Sequence, residues 1–133
     1  MSIKTISTPN APAAIGPYSQ AKVVSLAKSK TVGSLVFTSG AIPLDPVSGN
    51  VVGTKITEQA HQTIKNLLAV LKASGARAED VIKTTCFIKN MDDFSGFNSV
   101  YAEYFTSNPA RSCVEVARLP KDVLCEIEAV AVI

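Results

Sequence analysis

The chain has 133 residues, a length that suits one domain, because dividing it would leave two marginal cores. A composition of 47% hydrophobic and 18% charged residues excludes a disordered chain, and a net charge of +2 with 6% aromatics provides no basic, aromatic-studded surface for nucleic acid. A mean hydropathy of +0.24 in so small a chain leaves apolar surface to cover, so self-association is expected.

From the N-terminus, Met1 to Pro17 lacks the apolar run of a secretory signal. No stretch reaches the roughly 18 apolar residues that read as a membrane span. A cytoplasmic protein without membrane contact is therefore expected. Thr8 to Pro17 reads as a linker-like segment. Ala21 to Ser39, rich in Val, Leu, Phe and Thr and broken near Lys28 to Gly33, predicts a hairpin with a long tip. Asp45, Pro46, Ser48, Gly49 and Asn50 form a cluster of turn formers.

Ala60, Ile64, Leu67, Leu68 and Leu71 recur at helical spacing, which predicts a helix over Thr57 to Ser74 with Thr57 as N-cap and Gly75 just past its end. Val81 to Lys89 switches to β-branched and aromatic residues and predicts a central or near-central strand, with Val81, Phe87 and the lysines on one face and Ile82, Cys86 and Ile88 on the other. A second helix, capped by Asp92 or Asp93, carries the stripe Phe94, Phe97, Tyr101, Tyr104 and Phe105 and stops at Asn108 and Pro109. Arg111 to Arg118 and Val123 to Ile133 read as two strands joined by Leu119 to Asp122, forming a second hairpin in which Arg111 faces Val130 and Val116 faces Cys125. The order implies a single α+β domain, 1–133, with helices on one sheet face and the other face left for subunit contacts.

Several chemistries drop out. His61 is the only histidine, so a nucleophile–histidine device could be built only around it, and a boundary role is the plainer reading. Cys86, Cys113 and Cys125 lack paired-ligand spacing and read as reduced, buried thiols, so no metal is expected. The glycines are too scattered for a dinucleotide or phosphate loop, so no nucleotide cofactor is expected either. What remains is polar residues in strands that should be buried: Arg111, and Glu126 and Glu128 on one parity of the last strand. Buried charges need partners, so either Arg111 pairs with one of these glutamates or it forms an anion site.

Ala-Ile-Gly-Pro-Tyr-Ser-Gln at 14–20, Phe-Thr-Ser-Gly at 37–40, Val-Ile-Lys-Thr-Thr at 81–85, Pro-Ala-Arg-Ser-Cys-Val-Glu-Val at 109–116 and Glu-Ile-Glu-Ala-Val-Ala at 126–131 together resemble the Rid family of deaminases nearly end to end. The resemblance implies a chorismate-mutase-like fold, a mixed six-stranded sheet with two helices on one face, assembled as a homotrimeric barrel with clefts between subunits. It implies hydrolysis of enamine and imine intermediates of amino acids, 2-iminopropanoate and 2-iminobutanoate among them, to 2-ketoacids and ammonia without a cofactor. Carried over residue by residue, Arg111 matches the group that pairs with the substrate carboxylate and Glu126 the group that aligns the hydrolytic water. Tyr18, Ser39, Gly40, Asn98 and Cys113 match the rest of the cleft. Cys113 itself reads as a small buried hydrophobe, since no base stands near it in the sequence. The connection Val24 to Ser34 is longer than the family pattern and is expected to extend the hairpin tip. Relatives also carry endoribonuclease or translation-inhibitor descriptions, and a non-catalytic carboxylate binder or holdase would share Arg111. The lack of a basic face counts against the nuclease, and a change at Glu126 separates a hydrolase from a binder.

Overall fold

The computed structural model describes residues 2–26 and 33–133. Six strands and two helices are found there: β1 Ser2–Ile6, β2 Ala21–Ser25, β3 Ser34–Thr38, α1 Ile56–Ala73, β4 Val81–Ile88, α2 Phe94–Tyr104, β5 Ala110–Glu115 and β6 Cys125–Val132. One mixed sheet runs in the order β1-β2-β3-β6-β4-β5. Both helices lie on one face, so a single apolar core fills the layer between them and the alternate residues of the strands. No described helix is long and apolar enough to cross a membrane.

The β2–β3 hairpin is present, antiparallel, with Ala21 opposite Thr38. Its expected extended tip, with Lys28 and Lys30, lies outside the described residues. The edge strand β1 pairs with β2, and its exposed Ile3, Lys4 and Thr5 give too weak an alternation to stand out in the sequence.

α1 buries Ala60, Ile64, Leu67 and Leu71, as its periodicity requires. Its start corrects the expected cap: Lys55, not Thr57, holds the N-cap position, and the Glu58 carboxylate accepts the N–H groups of Thr54 and Lys55 at 2.9 and 3.1 Å. A carboxylate there closes free donors and meets the positive end of the helix dipole. At the other end Gly75 takes φ +90°, letting Ala76 N–H reach Leu71 O and Gly75 N–H reach Lys72 O. Asp93 holds the N-cap position of α2, as expected, but its side chain makes no capping bond. Asn90 accepts the Asp92 N–H at 2.9 Å and starts a 3-10 turn that leads into the helix.

Two further expectations are overturned. A bulge between Val81 and Lys83 reverses the parity at the start of β4, so Val81 is buried and Ile82 is exposed. More consequentially, β5 and β6 form no hairpin. β4 lies between them, parallel to β5 and antiparallel to β6, and residues 116–124 cross the end of β4 to connect them. Arg111 therefore faces Thr84, Cys125 faces Ile88, and Val130 faces Lys83 and Phe37. The connection looked like a short turn because its 3-10 turn Pro120–Asp122, with Lys121 and Asp122 at positive φ, is compact.

The sheet face away from the helices is uncovered. It carries Phe37, Val114 and Val132, each more than 40% exposed, beside Lys83, Thr85, Phe87, Glu126 and Glu128.

Candidate active site

The topology separates the two charged candidates. Glu126 pairs with Phe87 and points to the open face, because its neighbour Ile127 is fully buried toward the helices. Arg111 pairs with Thr84, whose side chain meets α2, and so points to the helix face. Within one chain the two cannot meet, and no ion pair among the described residues engages either Arg111 or the glutamates. Within the chain it is sheet face, rather than the register first expected, that keeps Arg111 apart from the glutamates.

Glu126 shares a cleft with Tyr18, Ser39 and Gly40, walled by Ile15, Ile42 and Pro120. The segment before β2 reaches this cleft because the buried Gln20 carboxamide holds it: Gln20 accepts from Thr8 N–H at 2.6 Å and donates to Thr8 O at 3.1 Å and Pro12 O at 2.7 Å. Ser39 N–H donates to Gln20 O at 2.9 Å, and its hydroxyl donates to Ser19 O. Beyond Gly40, Ala41 bridges to Ile127, and Asn66 of α1 donates to Ile42 O and Leu44 O at 2.9 and 2.8 Å. A Cβ at Gly40 would overlap the Glu126 carboxylate, so glycine lets that carboxylate lie against the chain. Burial, and secondarily the charge of Glu128, pushes the Glu126 carboxyl above its ordinary value.

Arg111 opens a second cleft with Asn98, Tyr101, Ala102, Phe105, Asn108 and Pro109. Its Nη1 donates to Asn98 Oδ1 at 2.7 Å, and its Cζ lies 4.7 Å from the Tyr101 ring centre and 5.5 Å from that of Phe94. Among the described residues no other hydrogen bond engages the guanidinium, which has five N–H donors. Cys113, two residues along the same face and half-buried, has its thiol raised by burial, with Arg111 acting in the opposite direction. Cys86 and Cys125 are pushed up to about 12 and about 11 by burial. Burial thus disfavours the thiolate at all three and argues against a nucleophilic role. His61 stands in neither cleft: its Nδ1 lies 2.8 Å from Tyr104 Oη.

The matched residues thus fall into an acidic half, Tyr18, Ser39, Gly40 and Glu126, and a cationic half, Asn98, Arg111 and Cys113. Gln20, Asn66 and Tyr101 were missed as contributors. Asn66 carried a signal, an amide on the helix face that Thr63, Leu67 and Val70 mark as buried, whereas Gln20 shares the parity of Lys22 and Tyr101 looked like core.

The family described as Endoribonuclease L-PSP matches residues 8–133, both halves included. The chain belongs to the L-PSP family. Among relatives of this L-PSP chain, a Salmonella typhimurium protein named 2-iminobutanoate/2-iminopropanoate deaminase is 50% identical over 133 residues, covering 97% of each chain. The crystal structure of Escherichia coli TdcF with bound serine superimposes with a TM-score of 0.86 at 45% identity, covering 98% of each chain. YyfA from Yersinia pestis, described as belonging to the conserved Rid protein family, gives a TM-score of 0.88 at 42% identity and covers 99% of this chain and 100% of its own. The Rid resemblance drawn from the motifs and the L-PSP match are one relationship.

Proposed function

We propose that this L-PSP chain is a cofactor-independent deaminase that hydrolyses 2-imino acids to 2-ketoacids and ammonia, acting in the cytosol as a homotrimer whose sites join the cationic half of one subunit to the acidic half of the next. The observation that carries this reading is the pair of opposite charges, Arg111 and Glu126, each at a cleft and neither engaged by an ion pair among the described residues. The name of the Salmonella relative and the serine bound by TdcF support it, since serine, like a 2-imino acid, carries nitrogen on the carbon next to its carboxylate.

The chemistry follows from the groups present. Arg111 receives the carboxylate in two parallel hydrogen bonds and fixes the imine carbon beside it. Glu126 takes a proton from water as the water oxygen bonds to that carbon, and passes it to the imine nitrogen. The carbinolamine then returns its hydroxyl proton through Glu126 to nitrogen as the C–N bond breaks, leaving ketoacid and ammonia. The imine carbon is already electrophilic, so orientation and proton transfer of about 10²–10⁴-fold suffice for a short-lived substrate.

The test is ketoacid release from freshly generated 2-iminopropanoate. Glu126→Gln is expected to lose the acceleration, and Arg111→Ala to lose about 2–5 kcal/mol of transition-state stabilisation, both with unchanged melting and mass. Wild-type turnover in either variant overturns the assignment. A binder or holdase would keep full function in Glu126→Gln. The nuclease description of the family finds no histidine in either half-site, since His61 is occupied with Tyr104.

A further inference from the structure

Phe94, Asn98 and Tyr101 stand at i, i+4 and i+7 of α2, one face of the helix, and all three touch the Arg111 guanidinium. The stripe that the sequence marks as core therefore also grips a cation. Tyr101 is the inner member, almost fully buried, and its ring packs on Phe105 with centroids 4.6 Å apart. Its hydroxyl lies 2.7 Å from that of Thr84, which is wholly buried on β4 beneath α2. A buried hydroxyl pair of this kind adds little net stability over two apolar groups of the same shape. What it does is fix the rotation of the ring, and the ring face is where the guanidinium rests.

We infer that Tyr101 is a positioning residue for the proposed reaction: its ring, anchored by Thr84, sets the plane of the Arg111 guanidinium and hence the plane in which a substrate carboxylate is received. A planar fork accepts a carboxylate in two parallel bonds only when the two planes coincide. Asn98 fixes one N–H and so the in-plane direction. Tyr101 fixes the tilt. The guanidinium face against the ring is also shielded from water, which strengthens its remaining hydrogen bonds.

The inference rests on Arg111 being the carboxylate anchor, and a double-mutant cycle on the assembled protein separates the two ideas. Tyr101→Leu is expected to raise KM for 2-iminopropanoate on the order of ten-fold, the size of a shielded cation–ring contact, with kcat changed less than about two-fold because the carboxylate is held alike in ground and transition states. Tyr101→Phe, which restores the ring but removes the hydroxyl anchored by Thr84, is expected to recover only part of the affinity, and full recovery would show that the Thr84 contact does not set the plane. In an Arg111→Ala background, Tyr101→Leu should raise KM no further. Additive effects, or a wild-type KM in Tyr101→Leu, overturn the inference and return Tyr101 to the core. A wild-type KM in Arg111→Ala instead overturns the anchor reading beneath it. If leucine lowers the melting temperature too far for assay, Tyr101→Met fills the space without a ring and carries the same comparison.

Discussion

Glu126 and Glu128 leave β6 on the same face, and no ion pair among the described residues neutralises either. Burial is the larger reason why the Glu126 carboxyl is raised, and the Glu128 charge adds to it. A group that must be ionised to take a proton from water works only above its pKa, so kcat/KM is expected to fall on the acid side with a midpoint above the ordinary glutamate value of 4.5. Glu128→Gln removes the like charge, keeps the burial, and should move that midpoint to lower pH without abolishing turnover. A pH–rate profile of the two proteins checks it, and an unmoved or higher midpoint would show that Glu126 is not the titrating base. The residues were legible as candidates because a charge in a Val- and Ala-rich strand is conspicuous. Their separation was not, because parity fixes a face only once the neighbouring strand is known.

That neighbour was the misread element. The run Ala110 to Ile133 offers two strand-like stretches and a compact connection, which locally describes a hairpin as well as a crossing, and only the sheet order distinguishes them. β4 lies between β5 and β6, its backbone paired along both edges while its inner face, Thr84, Cys86 and Ile88, is buried beneath the helices. The helices were read correctly because helical periodicity is local, and so was Gly75 at the end of α1; the N-cap of α1 was not, since Lys55 has no cap signature and Glu58 supplies the bonds from inside the helix. The end of β3 shows how an element carries a site. Gly40 lets the chain run on beside β6, with Ala41 bridged to Ile127 and the Glu126 carboxylate lying where a side chain would stand. In Gly40→Ala the clashing atoms belong to the far end of a flexible side chain, so the fold can yield cheaply while the carboxylate is displaced. Turnover is expected to drop on the order of 10²-fold, as for a reacting group moved by about 1 Å, with little change in melting temperature. A large loss of stability, or retained activity, would contradict that account.

At the scale of the whole molecule, one sheet face lies under the helices and the other exposes Phe37, Val114 and Val132 beside Glu126 and Glu128. A two-layer domain with so apolar an outer face is completed by another layer, and in the proposed homotrimer that layer is the sheet of the next subunit. Head-to-tail closure brings different surfaces of two chains together, which is what a cationic half on the helix face and an acidic half on the open face require. Arg111→Ala and Glu126→Gln should then each be strongly impaired alone yet complement one another. When the two chains are unfolded together in equal amounts and refolded, about one site in four of a closed ring joins an intact Arg111 to an intact Glu126, so about a quarter of the wild-type rate is expected. The control is the same pair refolded separately and mixed only in the assay, which should show no more than the residual rates of the two variants for as long as subunits do not exchange. If Arg111 and Glu126 acted from one chain, no mixture could recover activity, because every chain would carry a broken site. A jointly refolded sample of trimer mass with no recovered ketoacid release would therefore refute the shared site, even if both residues proved indispensable.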